Sequence, residues 1–410
     1  MFRPSLIRGA SVDSPDVSGY GLTRSRRASL SAEQRRKLSM LRSSSIPSPL
    51  TPVSHIYHLV PCPRKDCNQK YVVSTDRSGD IHVHVQGDLS QQDKRCVFLT
   101  VHDLGTNHST MVDFVNSPAM SEIKERSCFI HVDVPGHEEN SPDLPDSYQF
   151  PSLQTLGEDL ITVLDFLHVR YAVGLGEGAG ANVLARCGLA HPRRLLGLIL
   201  VNCTASTSSV ADAFRSRFSR WRGADISQSE EDFLIYHKFG HVSFETEKHF
   251  SYQQISSDSL EAGERDRTLA EYRSRLRGNL NTHNIKQYVR AFINRKDLIL
   301  RGCQPDILLI TGMLSPYSTV IEKMYKELDK ERVTILKVDR AGDVLAETPA
   351  KVAQSLLLFC QGQGLLTSLP PPGVERRMSR AMSMEEYDKP NIRRLSLTPS
   401  VAESPPHRKL

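Results

Sequence analysis

The stretch Tyr171-Ala-Val-Gly-Leu-Gly-Glu-Gly-Ala-Gly-Ala-Asn-Val-Leu-Ala-Arg186 reads as a short buried strand, a turn of glycines and a helix. Such a bend presents a nucleophile when it carries Gly-x-Ser-x-Gly, because the residue at its apex must adopt φ > 0 and stands clear of the sheet. Framed by Gly174 and Gly178, the apex is Gly176, which has no side chain to attack with. The same chemistry needs a carboxylate and then a histidine, in that chain order. The carboxylate belongs just after the apolar strand that ends at Gly312, where the sequence is Gly312-Met-Leu-Ser315-Pro316; the histidine belongs after Val338, where it is Arg340-Ala-Gly-Asp343. The triad positions are thus read as Gly176, Ser315 and Asp343, all vacant. Loss of single triad members already costs ~10⁴–10⁶ in rate, so no catalytic residue is assigned.

Other groups that could do chemistry cluster at strand ends. His102, Asp103 and Gly105 follow the apolar run Cys96–Val101, Asp133 ends the run Ser127–Val132, and Glu177 lies in the bend itself. These are the candidate crevice residues, and structural duty in tying loops together is their competing role. Gly174-x-Gly176-x-x-Ala179 also approaches a dinucleotide fingerprint, but no Asp or Glu ends the next strand at Val201-Asn202. His82 and His84 stand two apart on one strand face, the spacing of a chelating pair, with no third ligand in view; no metal and no cofactor are expected. The eight cysteines are scattered, several within apolar runs, and read as reduced, buried thiols.

The elements that must position these groups follow from periodicity. Gln69–Ser74 and Asp80–Gln86, joined by Arg77-Ser-Gly79, form a hairpin. Apolar runs at 96–102, 127–133, 195–202, 306–312 and 332–338 are strands. Residues 151–167 form an amphipathic helix with Ser152 as N-cap, and 349–362 a last helix opened by Thr348 and Pro349. Strand and helix alternate as in a mostly parallel sheet flanked by helices. Between about 204 and 303 the alternation breaks into charged, helix-period text, the mark of a helical cap inserted over the carboxyl end of the sheet. The fold class is α/β, an α/β-hydrolase fold with a helical cap, spanning residues 56–368 between disordered tails at 1–55 and 369–410.

Four motifs in order sharpen this: His102-Asp-Leu-Gly-Thr-Asn-His108, His131-Val-Asp-Val-Pro-Gly136, Gly174-Leu-Gly-Glu-Gly-Ala-Gly-Ala181 and Gly197-Leu-Ile-Leu-Val-Asn202. From about Tyr71 to Gly364 the chain resembles the N-myc downstream-regulated (NDR) family, hydrolase-fold proteins regarded as lacking hydrolase activity. The resemblance implies a signalling role in growth, differentiation or stress, a cytoplasmic location, and kinase sites in the C-terminal tail. Glu177 stands where an apolar residue is expected in that family.

Residues 1–55 hold nine Lys/Arg against three Asp/Glu, and 369–410 eight against five, while the whole chain carries +5. The tails are therefore basic and the body mildly acidic. Ser29, Ser39, Ser379, Ser383 and Ser396 each follow arginine at the spacing basophilic kinases read, and Thr398 precedes proline. Each phosphate adds about −1.5 to −2 charge. The expected partners are signalling proteins and such kinases, with weak contact to acidic lipids; without stacking aromatics, no nucleic acid is expected. No apolar run of about 18 residues suits a membrane span. The sequence-level reading is a non-enzymatic adaptor regulated through its tails; the alternative is a hydrolase or small-molecule sensor using non-triad residues in the same crevice. The oligomeric state is left open.

Overall fold

A computed structural model describes residues 68–206, 226–240 and 259–370. The N-terminal tail, the C-terminal tail from residue 371 on, all six phosphorylation candidates and parts of the cap lie outside these residues; Leu369, expected to open the disordered C-terminal tail, is described and is buried.

Eight strands form one sheet in the order β1-β2-β4-β3-β5-β6-β7-β8. They are β1 (Asn68–Thr75), β2 (Gly79–Gln86), β3 (Cys96–Val101), β4 (Ser127–Asp133), β5 (Ala172–Glu177), β6 (Leu195–Val201), β7 (Asp306–Gly312) and β8 (Val333–Val338). The hairpin β1–β2 joins β4 antiparallel, and every pairing from β4 to β8 is parallel. β3, β4 and β5 are buried along their whole length, which is why they read as continuous apolar runs instead of alternating ones. β1 closes one edge with mostly polar or half-exposed residues, a common way to blunt an unpaired strand.

Helices α1 (His108–Asn116), α2 (Leu153–Phe166), α3 (Gly178–Ala190), α4 (Gln228–Phe239), α5 (Ser259–Gly278), α6 (Thr282–Ile293), α7 (Ser318–Glu327) and α8 (Pro349–Gly362) accompany the sheet. Ser152 caps α2 by accepting the Thr155 N–H, as its sequence predicts. α3 stops before His191-Pro192, where proline forbids continuation. α1 and α7 escape the periodicity reading because each buries only three side chains, Met111, Phe114 and Val115 in one and Ser318, Ile321 and Met324 in the other.

Helix α4, from the cap region, is held by charge as much as by apolar contact. Glu230 meets Lys286 of α6 at 3.2 Å, and Glu231 meets Arg273 of α5 at 3.2 Å and also Arg277. Both carboxylates are buried, so their partners on α5 and α6 fix how α4 lies.

Close approach of α2 to α3 depends on Gly157, where a Cβ would fall 2.6 Å from Val183 O and 3.0 Å from Cys187 N. Since these are backbone atoms of a buried helix, Gly157→Ala is expected to cost about 1–3 kcal/mol by overpacking. Urea unfolding should show a lower midpoint at unchanged slope.

Candidate functional site

The bend comes two residues later than its sequence suggests. Gly176 lies inside β5, opposite Val101 on one side and Leu200 on the other. The residue with positive φ between strand and helix is Gly178, at 51°. The working frame is thus Gly176-Glu177-Gly178-Ala179-Gly180, and the apex assignment to Gly176 is corrected to Gly178. Glycines at every second position offer both frames, and the decision comes from strand pairing: β6 continues alongside β5 as far as Glu177↔Val201. Gly180 is the close-approach glycine, since any side chain there would run into the carbonyl oxygens of Val101 and His102.

The space over the apex is filled by Asp103, on the loop after β3. A Cβ on Gly178 would overlap its carboxylate. The Ala179 N–H donates to Asp103 Oδ1 at 2.8 Å, and His237 Nε2 lies 3.0 Å from both carboxylate oxygens and donates to them. The other ring nitrogen of His237 meets the Tyr317 hydroxyl. Burial on its own would raise the Asp103 carboxyl; His237, Lys238 and the Ala179 N–H outweigh it and bring it down to about 2. In acyl-transfer sites of this shape, the N–H following the apex residue is one of the oxyanion donors. Here that donor is held by the protein's own carboxylate.

A second charge cluster adjoins the first. Lys238 Nζ sits 2.8 Å from both Glu177 oxygens and 3.0 Å from Asp343 Oδ2, all three groups being buried. Two carboxyl groups share one ammonium. Burial, and then the negative charges of Asp343 and Asp103, push Glu177 up to about 8 against the pull of Lys238. Lys238 is raised, its burial being overcome by Asp343 and Glu177. Asp343 also caps the short helix Val344–Glu347 by accepting the Ala346 N–H. Ser315 takes no part in this cluster: its hydroxyl accepts the Tyr317 N–H at 3.3 Å within the turn after β7.

The remaining sequence candidates divide. His102 is wholly buried and neutral, with burial lowering its pKa; Nδ1 donates to Asp103 O at 2.8 Å and Nε2 accepts the Val134 N–H at 3.1 Å. It ties two loops together. Gly105, at φ 66°, leaves room for the Tyr272 hydroxyl and lines a cleft of about 370 Å³ that also reaches Lys238 and Asp343. Asp133 does not join Asp103 and Glu177. It accepts the His108 N–H on Oδ1 at 2.6 Å and His108 Nδ1 on Oδ2 at 2.7 Å, with His84 Nε2 at 3.2 Å from Oδ2. Burial would raise its carboxyl, but these imidazoles hold it far below the usual carboxylate range. Sequence reasoning missed His237, Lys238 and Tyr317. The signal for the first two was a His-Lys pair set among Phe233, Leu234, Ile235 and Phe239, a run too apolar to leave it in water.

Comparison with known proteins decides the lineage. A family model described as the Ndr family matches residues 71–367. The chain belongs to the NDR family. An uncharacterised protein of Caenorhabditis elegans is 37% identical over 340 residues, covering 82% of this chain and 96% of the relative. Protein NDRG3 of Xenopus laevis is 30% identical over 319 residues, 74% and 78% respectively. Among solved structures, a thermophilic esterase from Thermogutta terrifontis superposes with TM-score 0.55 at 16% identity, over 72% of this chain and 98% of that one. An enol-lactonase from Burkholderia xenovorans gives 0.54 at 14%, over 71% and 100%. These likenesses establish the α/β-hydrolase fold of this NDR protein.

The buried charges predict a pH signature. Glu177 is near 8 in the folded chain against 4.5 for the free group, so the native state binds a proton the unfolded chain has lost. Its stabilisation is complete below pH 4.5 and falls by up to about 1.4 kcal/mol per pH unit as pH rises toward 8. Asp103 has the opposite sign: its share is present above 3.8 and lost as pH falls through about 2. Urea unfolding across pH should show the alkaline decline in wild type and a flatter curve in Glu177→Gln.

Proposed function

We propose that this NDR protein is a non-hydrolytic adaptor: a hydrolase scaffold that recruits signalling proteins and is regulated through phosphorylation of its basic tails, in cytoplasmic signalling for growth, differentiation or stress. The observation that carries the non-hydrolytic part is the Asp103 carboxylate lodged over Gly178 and bonded to the Ala179 N–H. A nucleophile and an oxyanion would both need that volume. A negative charge already there opposes the charge that acyl transfer develops. Support for the regulatory part is the repeated Arg-x-x-Ser spacing in both tails, where a few phosphates reverse the sign of the C-terminal one.

The cleft beside Lys238 and Asp343 favours one second reading, a sensor of a small acidic or polar molecule. Saturable binding of such a molecule, abolished by Lys238→Met in a still folded chain, would favour it over the adaptor.

Purified full-length protein should turn over none of a panel of activated esters above buffer, and Gly178→Ser should restore nothing, because its Cβ overlaps Asp103. Turnover by wild type that disappears on changing a crevice residue would overturn the non-hydrolytic reading. In affinity capture with the tails phosphorylated or not, a set of signalling proteins should be retained by one form and released by the other; identical capture by both would remove the regulatory part.

A further inference from the structure

We propose that His84, His108 and Asp133 form a binding site for one divalent transition-metal cation, with Zn²⁺ as its representative. Three separate elements deliver the ligands. Asp133 is the last residue of β4, His108 the first of α1, and His84 lies on β2, whose antiparallel register places His82 opposite Asp133 and His84 diagonal to it. One imidazole nitrogen from each histidine and one carboxylate oxygen all lie within 4.8 Å of one another.

The orientation is specific. The His108 N–H holds Asp133 Oδ1 at 2.6 Å, leaving Oδ2 aimed at the two rings. His108 Nδ1 is 2.7 Å and His84 Nε2 is 3.2 Å from that oxygen. The rings stack face to face, centroids 3.5 Å apart and planes within 10°, so the two donor nitrogens lie close together, and a shared ion requires the rings to tilt out of parallel so that both in-plane lone pairs point at it. Zinc bonds to imidazole nitrogen at about 2.0–2.1 Å and to carboxylate oxygen at about 2.0–2.2 Å, distances reached when the two rings rotate out of their stack around the ion. Two histidines and one carboxylate, with further positions left to water, suit Zn²⁺ and neighbouring divalent ions better than Ca²⁺ or Mg²⁺, which take oxygen ligands.

On binding, the cation replaces the two N–H···Oδ2 hydrogen bonds: the proton on the facing nitrogen of each ring passes to solvent, or through solvent to the ring's other nitrogen, and the freed lone pair goes to the cation. The neighbourhood supports this. Asp133 is buried, while the histidine side chains are 10% and 12% exposed, so the cation has an entry path. The Asp133 Oδ1 hydrogen bond to the helix backbone is the orienting contact that metal carboxylates commonly have. Two other histidines nearby are excluded: His131 Nδ1 is engaged by Thr100 Oγ1 at 2.8 Å, and His82 approaches Glu138 instead. The bound ion would staple the edge hairpin to the sheet and to the start of α1.

The test uses the full chain stripped with chelator, then Zn²⁺ titration with equilibrium dialysis and metal analysis. Wild type and the His82→Ala control should bind one equivalent that His84→Ala and His108→Ala lose, each with affinity down by more than the ~100-fold upper range of an indirect change. With Cu²⁺ as probe, paramagnetic resonance should show coupling to two imidazole nitrogens in wild type and to one in either variant. Zn²⁺ uptake by His84→Ala and His108→Ala equal to wild type in number and affinity, or no stoichiometric uptake by wild type, overturns the proposal. Circular dichroism checks folding; should His108→Ala not fold, His84→Ala decides by the same criterion.

Discussion

One carboxylate organises the centre of this molecule. Asp103 sits where only a glycine bend leaves room, removed from water, and an ionised carboxyl so placed is costly unless charge and hydrogen bonds compensate it. The compensation comes from two directions. Ala179 at the start of α3 supplies a backbone N–H, and His237 supplies an imidazole from the cap. Because the second partner lies on α4, the cap is docked by the need to pair a charge inside the domain. Lys238, one residue on, repeats the arrangement with Glu177 and Asp343. The helix buries Glu230, Glu231, His237 and Lys238 along with Phe233, Leu234, Ile235 and Phe239. It therefore shows little separation of apolar and polar faces, although it is a central packing element.

That pairing changes what the fold can do without changing its shape. The sheet order, the bend, the close glycine at 180 and the following helix are those of a hydrolase scaffold. In a catalytic relative's site, donors wait for a negative charge that appears only in the reaction. In this chain the donor already has a permanent one, and the groups at the two remaining triad positions are an ammonium-bound aspartate and a turn serine. Function on such a scaffold is a property of the site grafted on it, not of the fold.

Much of the fold was legible because local pattern and tertiary demand agree. The buried strands are unbroken apolar runs, Ser152 and Thr348-Pro349 mark helix starts, and His191-Pro192 marks a helix end. Strand ends are set by backbone pairing, which leaves no trace in composition; this is why the sequence points to Gly176 when four evenly spaced glycines, 174, 176, 178 and 180, equally allow Gly178. His102, Asp103, Asp133 and Glu177 could be placed at the carboxyl end of the sheet from the alternation of elements alone. Their partners could not, because His237 and Tyr317 are 134 and 80 residues away from the groups they meet. Asp133 shows the same limit: His82 and His84 share a strand face at the spacing of a chelating pair, the register sets His82 opposite Asp133, and only the side-chain contacts reveal that His84, with His108, is the one that meets the carboxylate.

The residues around the bend are mutually conditional. A glycine at position 178 admits Asp103; Asp103 in place requires His237 and leaves Ala179 no free N–H; His237 in place holds α4 down, and with it Lys238 over Glu177 and Asp343. Removing Asp103 alone would strand an imidazole and a backbone donor in a dry interior, while adding a side chain at 178 alone would collide with the carboxylate. Coupling between neighbours of this kind makes single changes worse than their sum. The arrangement is therefore mutually supporting: each of these groups keeps its partner only while the others are in place.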